Sequence, residues 1–197
     1  MSADRSLRPL ATAHSLVGFT TCACLLAFYA VGEPFGIIND LGNATLGLLT
    51  IALARLLPRP TPGVASVARG WGGGGLAFAV VVVGAGLSVL GTVLVLSGAT
   101  GFYLAGLWSG FGFGLIGAWL VGISWRRSAP ARRAGLVAGV VMLLGLVGVP
   151  GIVMGLDDMD TAPAWTFLAG ISWAGTYLLF PAWSLRLARQ DRPERAL

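Results

Sequence analysis

Residues 70–125 read GWGGGGLAFAVVVVGAGLSVLGTVLVLSGATGFYLAGLWSGFGFGLIGAWLVGISW and contain no charged side chain. A transmembrane helix needs about 20 mostly apolar residues. This stretch of 56 residues is therefore too long for one helix and fits a hairpin of two. The small-residue segment SGATG at 97–101 is a turn signal that divides it. The stretch predicts two adjacent membrane-spanning helices joined by a tight turn.

The composition of the whole chain agrees with a membrane location. Of the 197 residues, 56% are hydrophobic and 11% are charged, whereas soluble domains carry roughly a quarter charged residues. The mean hydropathy is +0.82. So few charges cannot cover a water-facing surface, which excludes a soluble globular domain.

Dividing the chain at its charged residues predicts an all-α protein, a compact bundle of six transmembrane helices in one domain, residues 1–197. The predicted spans are 10–32, 35–57, 75–97, 101–125, 134–156 and 163–185. The first span has a basic start and an apolar body, as a signal peptide does. Its apolar body is longer than that of a signal peptide, so we expect it to be retained as a helix.

The basic residues predict the orientation of these spans. All 13 are arginines, and they fall in both tails, in the loop between spans two and three and in the loop between spans four and five. The other three loops have none. Because basic residues favour the cytoplasmic side, both termini are expected to be cytoplasmic in a cell membrane. Topology accounts for every arginine, so the basic pI of 10.2 does not indicate a nucleic-acid partner.

A repeat of 64 residues is a further prediction. This shift aligns Arg5, Arg69 and Arg133 just before the odd-numbered spans. It also aligns glycines in the even-numbered spans. The pattern suggests three two-helix hairpins in the same orientation, and the alternative is coincidence in a chain with 30 glycines.

Small residues mark the faces on which helices touch in lipid. They recur every four positions along the fourth span, at Gly106, Gly110, Gly114, Ala118 and Gly122. The third span has Gly84, Ser88 and Thr92 at the same spacing. We therefore expect a close hairpin of spans three and four. Pro150 is expected to kink the fifth span or to end its regular part.

Four polar residues gather at the start of the second span: Glu33, Asn39, Asp40 and Asn43. An ionisable group within a membrane span is a candidate functional group. A carboxylate with two amides can bind a cation, a proton or a polar ligand. The alternative is that the helix begins near Asn39 and that these side chains cap its free N–H groups.

The remaining polar residues exclude several classes of site. The absence of lysine rules out a Schiff-base cofactor, and one histidine rules out a bis-histidine haem. Cys22 and Cys24 are expected to pack as small apolar residues, and His14 to lie at the cytoplasmic interface. Asp157, Asp158 and Asp160 form either a solvated loop or a weak cation site. The chain is thus predicted to be no enzyme and to hold no cofactor or metal.

Residues 97–106, SGATGFYLAG, resemble the G-P-T-G-G-Y-L-x-G segment of the biotin-binding subunits of energy-coupling-factor transporters. Those subunits also have six spans with both ends inside, and the segment occurs near the start of their fourth span. Ala23 and Ala27 are similar to the A-x-x-x-A spacing that they use against their coupling partner. This chain has Ala99 in place of the proline and no lysine for the later acidic-and-lysine pattern. The resemblance implies a small-solute binding subunit.

Two functions follow as expectations. The first is a non-enzymatic structural or accessory subunit of a membrane assembly, which the low polar content of the spans favours. The second is a small-solute binding or transport protein with a site at Glu33, Asn39, Asp40 and Asn43. The expected partners are the lipid bilayer and either another membrane protein or a second copy of this chain.

Overall fold

The computed structural model describes residues 4–57, 74–125 and 129–190, and these residues form helices and short connections without any strand. The first four helices are α1 (Asp4–Val31), α2 (Phe35–Leu56), α3 (Gly74–Leu96) and α4 (Phe102–Ser124). The predicted all-α class is confirmed for this part of the chain. Several arginines used to predict the topology lie outside the described residues: Arg59, Arg69, Arg126, Arg127, Arg192 and Arg195.

Two further helical segments follow, and each contains an irregular turn. The fifth segment consists of α5 (Ala129–Leu143), a 3-10 helix (Leu144–Gly148) and α6 (Val149–Met154). The sixth segment consists of α7 (Thr166–Ala174), a π-helix (Gly175–Leu179) and α8 (Phe180–Gln190).

Within the described residues, five helices are long and apolar enough to cross a membrane. They are Leu7–Val31, Phe35–Leu56, Gly75–Leu96, Phe102–Ser124 and Ala131–Met154. The sixth predicted span, residues 163–185, falls on the segment that the π-helix divides. Large apolar side chains such as Leu26 and Val153 are exposed on the outside of the bundle, as expected for side chains that face lipid. The chain is therefore a multi-pass membrane protein with five to six such helices.

The fifth segment leaves the regular α-helix just before Pro150, as predicted. Proline has no N–H for the carbonyl four residues earlier, here that of Leu146, and its ring clashes with it. The chain takes the tighter 3-10 turns up to Gly148, and the helix restarts with Pro150 in its first turn.

The predicted hairpin of α3 and α4 is closely packed, but mainly through a face of α4 beside the glycine stripe. A Cβ atom built on Gly84 would lie 2.6 Å from the carbonyl oxygen of Gly112. One built on Gly91 would lie 2.6 Å from the carbonyl oxygen of Ala105. Backbone therefore meets backbone at these positions, where only glycine fits.

The predicted stripe has other neighbours. A Cβ on Gly114 would lie 2.8 Å from Cδ2 of Leu146 in the fifth segment. The nearest neighbour of Gly106 is the Trp173 ring at 3.5 Å, and Gly122 has nothing within 4 Å. The middle of the stripe therefore packs against the fifth segment. Its two ends, at Gly106 and Gly122, have no such close contact.

At the end of the bundle where α1 begins, α1 is tied to α8. The Ser15 hydroxyl donates a hydrogen bond of 2.7 Å to the Pro181 carbonyl, and Gly18 lies directly against the Pro181 ring. We call this end the arginine end, because it is flanked by arginines that include Arg8, Arg55, Arg132, Arg133, Arg186 and Arg189. The opposite end carries Glu33, Asp157, Asp158 and Asp160 and is called the acidic end.

His14 is fully buried, so the expectation of an interfacial histidine was wrong. Its Nδ1 lies 3.0 Å from Oγ of Ser184, and its Nε2 lies 3.3 Å from Oγ1 of Thr50. Thr50 donates its own proton to the Leu46 carbonyl, so its oxygen accepts from Nε2–H and Nδ1 accepts from Ser184. The neutral ring of His14 thus joins α1, α2 and α8. Both of its nitrogens, and the hydroxyl groups that they contact, have hydrogen-bond partners.

Candidate functional site

A cavity of about 330 Å³ opens within the bundle toward the acidic end. Its walls come from α1, α2, α4, the 3-10 helix, α7 and the π-helix. At this end the contact between α1 and α4 is made by side chains, because Phe28 and Tyr29 reach Phe102. The size lies at the lower end of the range for small-molecule sites.

Aromatic rings form much of the wall. They are Tyr29, Phe102, Tyr103, Phe167, Trp173 and Tyr177. The Trp173 and Tyr177 rings are stacked, with centroids 5.1 Å apart and an interplanar angle of 19°. The cavity therefore presents flat, polarisable surfaces to an occupant.

Glycines create the free space between these rings. Gly106, Gly110, Gly145 and Gly170 line the cavity. Two members of the predicted packing stripe, Gly106 and Gly110, are therefore cavity residues, because the helix face that they form has no side chain to fill the gap.

Asp40 is the ionisable carboxylate of the cavity wall. The residue is 8% exposed, and its side chain makes no hydrogen bond or ion pair with any described residue. Its backbone carbonyl accepts a hydrogen bond of 2.7 Å from Thr92 of α3, which fixes α2 at this point. An acidic group is thus held inside a membrane-spanning helix, beside the cavity and within electrostatic reach of the Glu33 carboxylate.

The two asparagines support the cavity in different ways. Asn43 lines it, and its Oδ1 accepts a hydrogen bond of 2.7 Å from the Tyr177 hydroxyl. Asn39 is buried behind the wall, where its Nδ2 donates to the Thr21 carbonyl at 3.1 Å and to the Tyr177 hydroxyl at 3.4 Å. The network joins α1 and α2 to the π-helix, an irregular turn that is frequent at functional sites.

The capping hypothesis for these residues was wrong, because α2 begins at Phe35. Asn39 and Asp40 therefore lie beyond the first helical turn, where N–H groups already have partners. Glu33, the residue before the N-cap Pro34, instead bonds the first turn, since its Oε2 accepts from the backbone N–H of Ile37 at 3.3 Å. Glu33 is exposed and is not part of the cavity wall. Of the four predicted site residues, the structure brings Asp40 and Asn43 to the cavity, with Asn39 behind them.

The acidic loop has an unexpected role. Asp157 accepts hydrogen bonds from the backbone N–H groups of Gly101 at 2.6 Å and Leu104 at 3.2 Å. It thereby caps the N-terminus of α4, where a negative charge is favourable. Asp158 instead closes a local turn on Asp160. Because Met159 lines the cavity, this cap holds the loop over the cavity mouth.

The sixth segment forms a part of the cavity wall that was not predicted from the sequence. Thr166, Gly170, Trp173 and Tyr177 all line the cavity, and they are spaced by four, three and four residues, so they share one helix face. That periodic mixture of polar, small and aromatic residues is the signal that could have found them. Among the described residues, no group of three or more His, Cys, Asp or Glu side chains could hold a metal ion.

The segment that resembles the biotin-binding subunits lies at the rim of this cavity. Its residues Phe102, Tyr103 and Gly106 contribute to the wall. Comparisons with known proteins found no matching family model, no similar curated protein and no similar solved structure.

Proposed function

We propose that this protein binds a small organic solute in the cavity beside Asp40, as a solute-binding or transport protein of the membrane. The observation that carries the proposal is the unpaired, buried carboxylate of Asp40 in an aromatic-walled cavity. A charged group in a membrane span is costly, and packing alone does not require it here. The cavity is also of a size suited to a small molecule.

The proposed topology has six spans, both termini in the cytoplasm and the cavity open to the outside. The separation of arginines and acids between the two ends of the bundle supports this orientation, because basic residues favour the cytoplasmic side. The sixth span is proposed to be the segment from Thr166 to Gln190, in which the π-helix inserts one wide turn. The threefold repeat stays a prediction.

The alternative of an accessory subunit relied on the low polar content of the spans. The interior holds more polar groups than the charge pattern suggested: Asn39, Asn43, Thr92, Ser109, Ser172 and Thr176 are all buried. Most of their hydrogen bonds join helices or bind a helix's own carbonyls, so they explain packing. The Asp40 side chain differs from these groups, because it makes no hydrogen bond with a described residue. It therefore favours a ligand-binding role over a purely structural one.

The proposal is tested by filling the cavity from Gly106. A Cβ there meets the Trp173 ring at 3.5 Å, an ordinary contact, so Gly106→Leu should occupy the space without moving α4. Three probes with the same ring system and different charge are used: naphthylethylammonium, naphthylethanol and naphthylacetate. Calorimetric titration of the protein in lipid nanodiscs should show saturable binding of at least one probe. In Gly106→Leu its affinity should fall by about tenfold or more, which corresponds to a loss of about 1.4 kcal/mol.

Gly122→Leu is the matched control, because it is the same substitution on the same helix at a position with nothing within 4 Å. It should leave the affinity unchanged. The proposal fails if no probe saturates the wild-type protein, or if both leucine variants bind with wild-type affinity. It also fails if Gly122→Leu weakens binding as much as Gly106→Leu.

A further inference from the structure

We infer that the solute is an organic cation, an ammonium group attached to an apolar or aromatic body. This inference deepens the proposed function and rests on it. It is carried by the pairing of one unpartnered carboxylate with aromatic faces in the same cavity.

The charge lining the cavity has one sign. Asp40 contributes a carboxylate, and no arginine of the described residues belongs to the wall. An ionised carboxylate away from water is stabilised only by a counter-charge or by several hydrogen bonds. The protein offers Asp40 neither among its described side chains, so a cationic ligand would complete the site.

The aromatic walls are suited to the same class of ligand. The faces of Trp and Tyr rings attract cations, and the attraction grows when water is excluded. Trp173 and Tyr177 provide two such rings in one stack, and Tyr29 and Phe102, which also line the cavity, meet edge to face with their centroids 6.4 Å apart. The apolar body of the ligand would contact these rings while its ammonium group lies at Asp40.

Two other classes of ligand fit the cavity poorly. An anion would approach Asp40 without a basic side chain to bind it. A bare metal ion needs several oxygen ligands, whereas the wall around Asp40 is mainly rings and glycines, and the described residues contain no metal-binding group of side chains.

The inference is tested with the same three naphthyl probes in nanodiscs. Wild-type protein should bind naphthylethylammonium at least about tenfold more tightly than naphthylethanol, and naphthylacetate should bind most weakly. In Asp40→Asn the preference for the cation over the alcohol should fall by about fivefold or more, leaving only the part that the aromatic rings contribute. Asp160→Asn is the matched control, because it removes an exposed carboxylate at the same end of the bundle that does not line the cavity, and the preference for the cation should persist.

The outcomes separate this inference from the proposed function. If naphthylethanol binds as tightly as the cation and Gly106→Leu still abolishes its binding, the solute site stands and the cation inference fails. The inference also fails if the preference for the cation is undiminished in Asp40→Asn. The ranking of the three probes by wild-type protein decides the question even if Asp40→Asn does not fold. Absence of binding by all three probes would overturn both proposals.

Discussion

Replacing Gly112 with leucine is expected to lower the free energy of unfolding by about 3 kcal/mol, the upper part of the range for overpacked sites. The reason is the contact between the backbones of α3 and α4. A Cβ on Gly112 would collide with the Gly84 carbonyl oxygen and would lie 2.9 Å from the Ser88 backbone nitrogen. Neither atom can move without moving the whole of α3. The measurement is reversible unfolding in mixed detergent micelles, followed by circular dichroism.

Gly122→Leu provides the comparison for this experiment as well. Gly122 is exposed and its position is open, so leucine should be neutral or stabilise the helix by up to about 1 kcal/mol through helix propensity. The two substitutions are thus expected to have different effects on the free energy of unfolding. This difference tests whether Gly112, and not Gly122, lies on the packing face of α4. Equal destabilisation by both variants would contradict it.

Tyr177→Phe is expected to cost about 1–2 kcal/mol of stability, as a buried hydrogen-bonding group loses its partner. The Tyr177 hydroxyl donates to Asn43 and accepts from Asn39. Removing it leaves the Asn43 carbonyl oxygen without this donor, while the ring stays in place against Trp173. The loss should appear as a lower free energy of unfolding in the same micelle assay.

Thr45→Val is the matched deletion of a hydroxyl group. Thr45 is exposed on α2 and bonds only the Leu41 carbonyl of its own helix, so its loss should change stability by less than about 0.5 kcal/mol. The double variant Tyr177→Phe, Asn43→Ala should be less destabilised than the sum of its single variants, because the pair interacts directly. Strict additivity would show that this hydrogen bond contributes nothing.

The helices were predictable because they follow from a physical requirement that acts along the sequence. A span must be long and apolar enough to cross the bilayer, so the uncharged stretches gave the bounds of five helices to within a few residues. The break before Pro150 was predictable for a similar reason, since a proline removes a specific hydrogen bond from a helix.

The contact faces were less predictable, because a regular glycine spacing shows which residues are small and does not show what lies opposite. Gly112 lies off the stripe and makes the closest contact with α3, whereas Gly106 on the stripe borders empty space. Likewise, the predicted span 35–57 begins where α2 begins, at Phe35, but this start alone does not show that Asp40 borders a cavity. Trp173 and Tyr177 join Asp40 through tertiary packing across more than 130 residues of sequence, which no local pattern reveals.

The two ends of the bundle are held together by different contacts. At the arginine end, Ser15 and His14 fasten α1 to α8 through buried hydrogen bonds. At the acidic end, α1 reaches α4 through aromatic side chains, and the cavity lies beneath them. This difference between the two ends agrees with the proposal that a ligand enters the cavity from one side of the membrane.

Locating a bound probe would show whether a cationic solute occupies the cavity at Asp40. A bromine-substituted naphthylethylammonium, soaked into crystals grown from lipid at a concentration above its measured Kd, can be placed by the anomalous scattering of bromine. We expect a bromine peak among the rings of Trp173 and Phe102, with the ammonium group beside the Asp40 carboxylate. A peak confined to the lipid-facing surface, or an empty cavity at a saturating concentration, would contradict it.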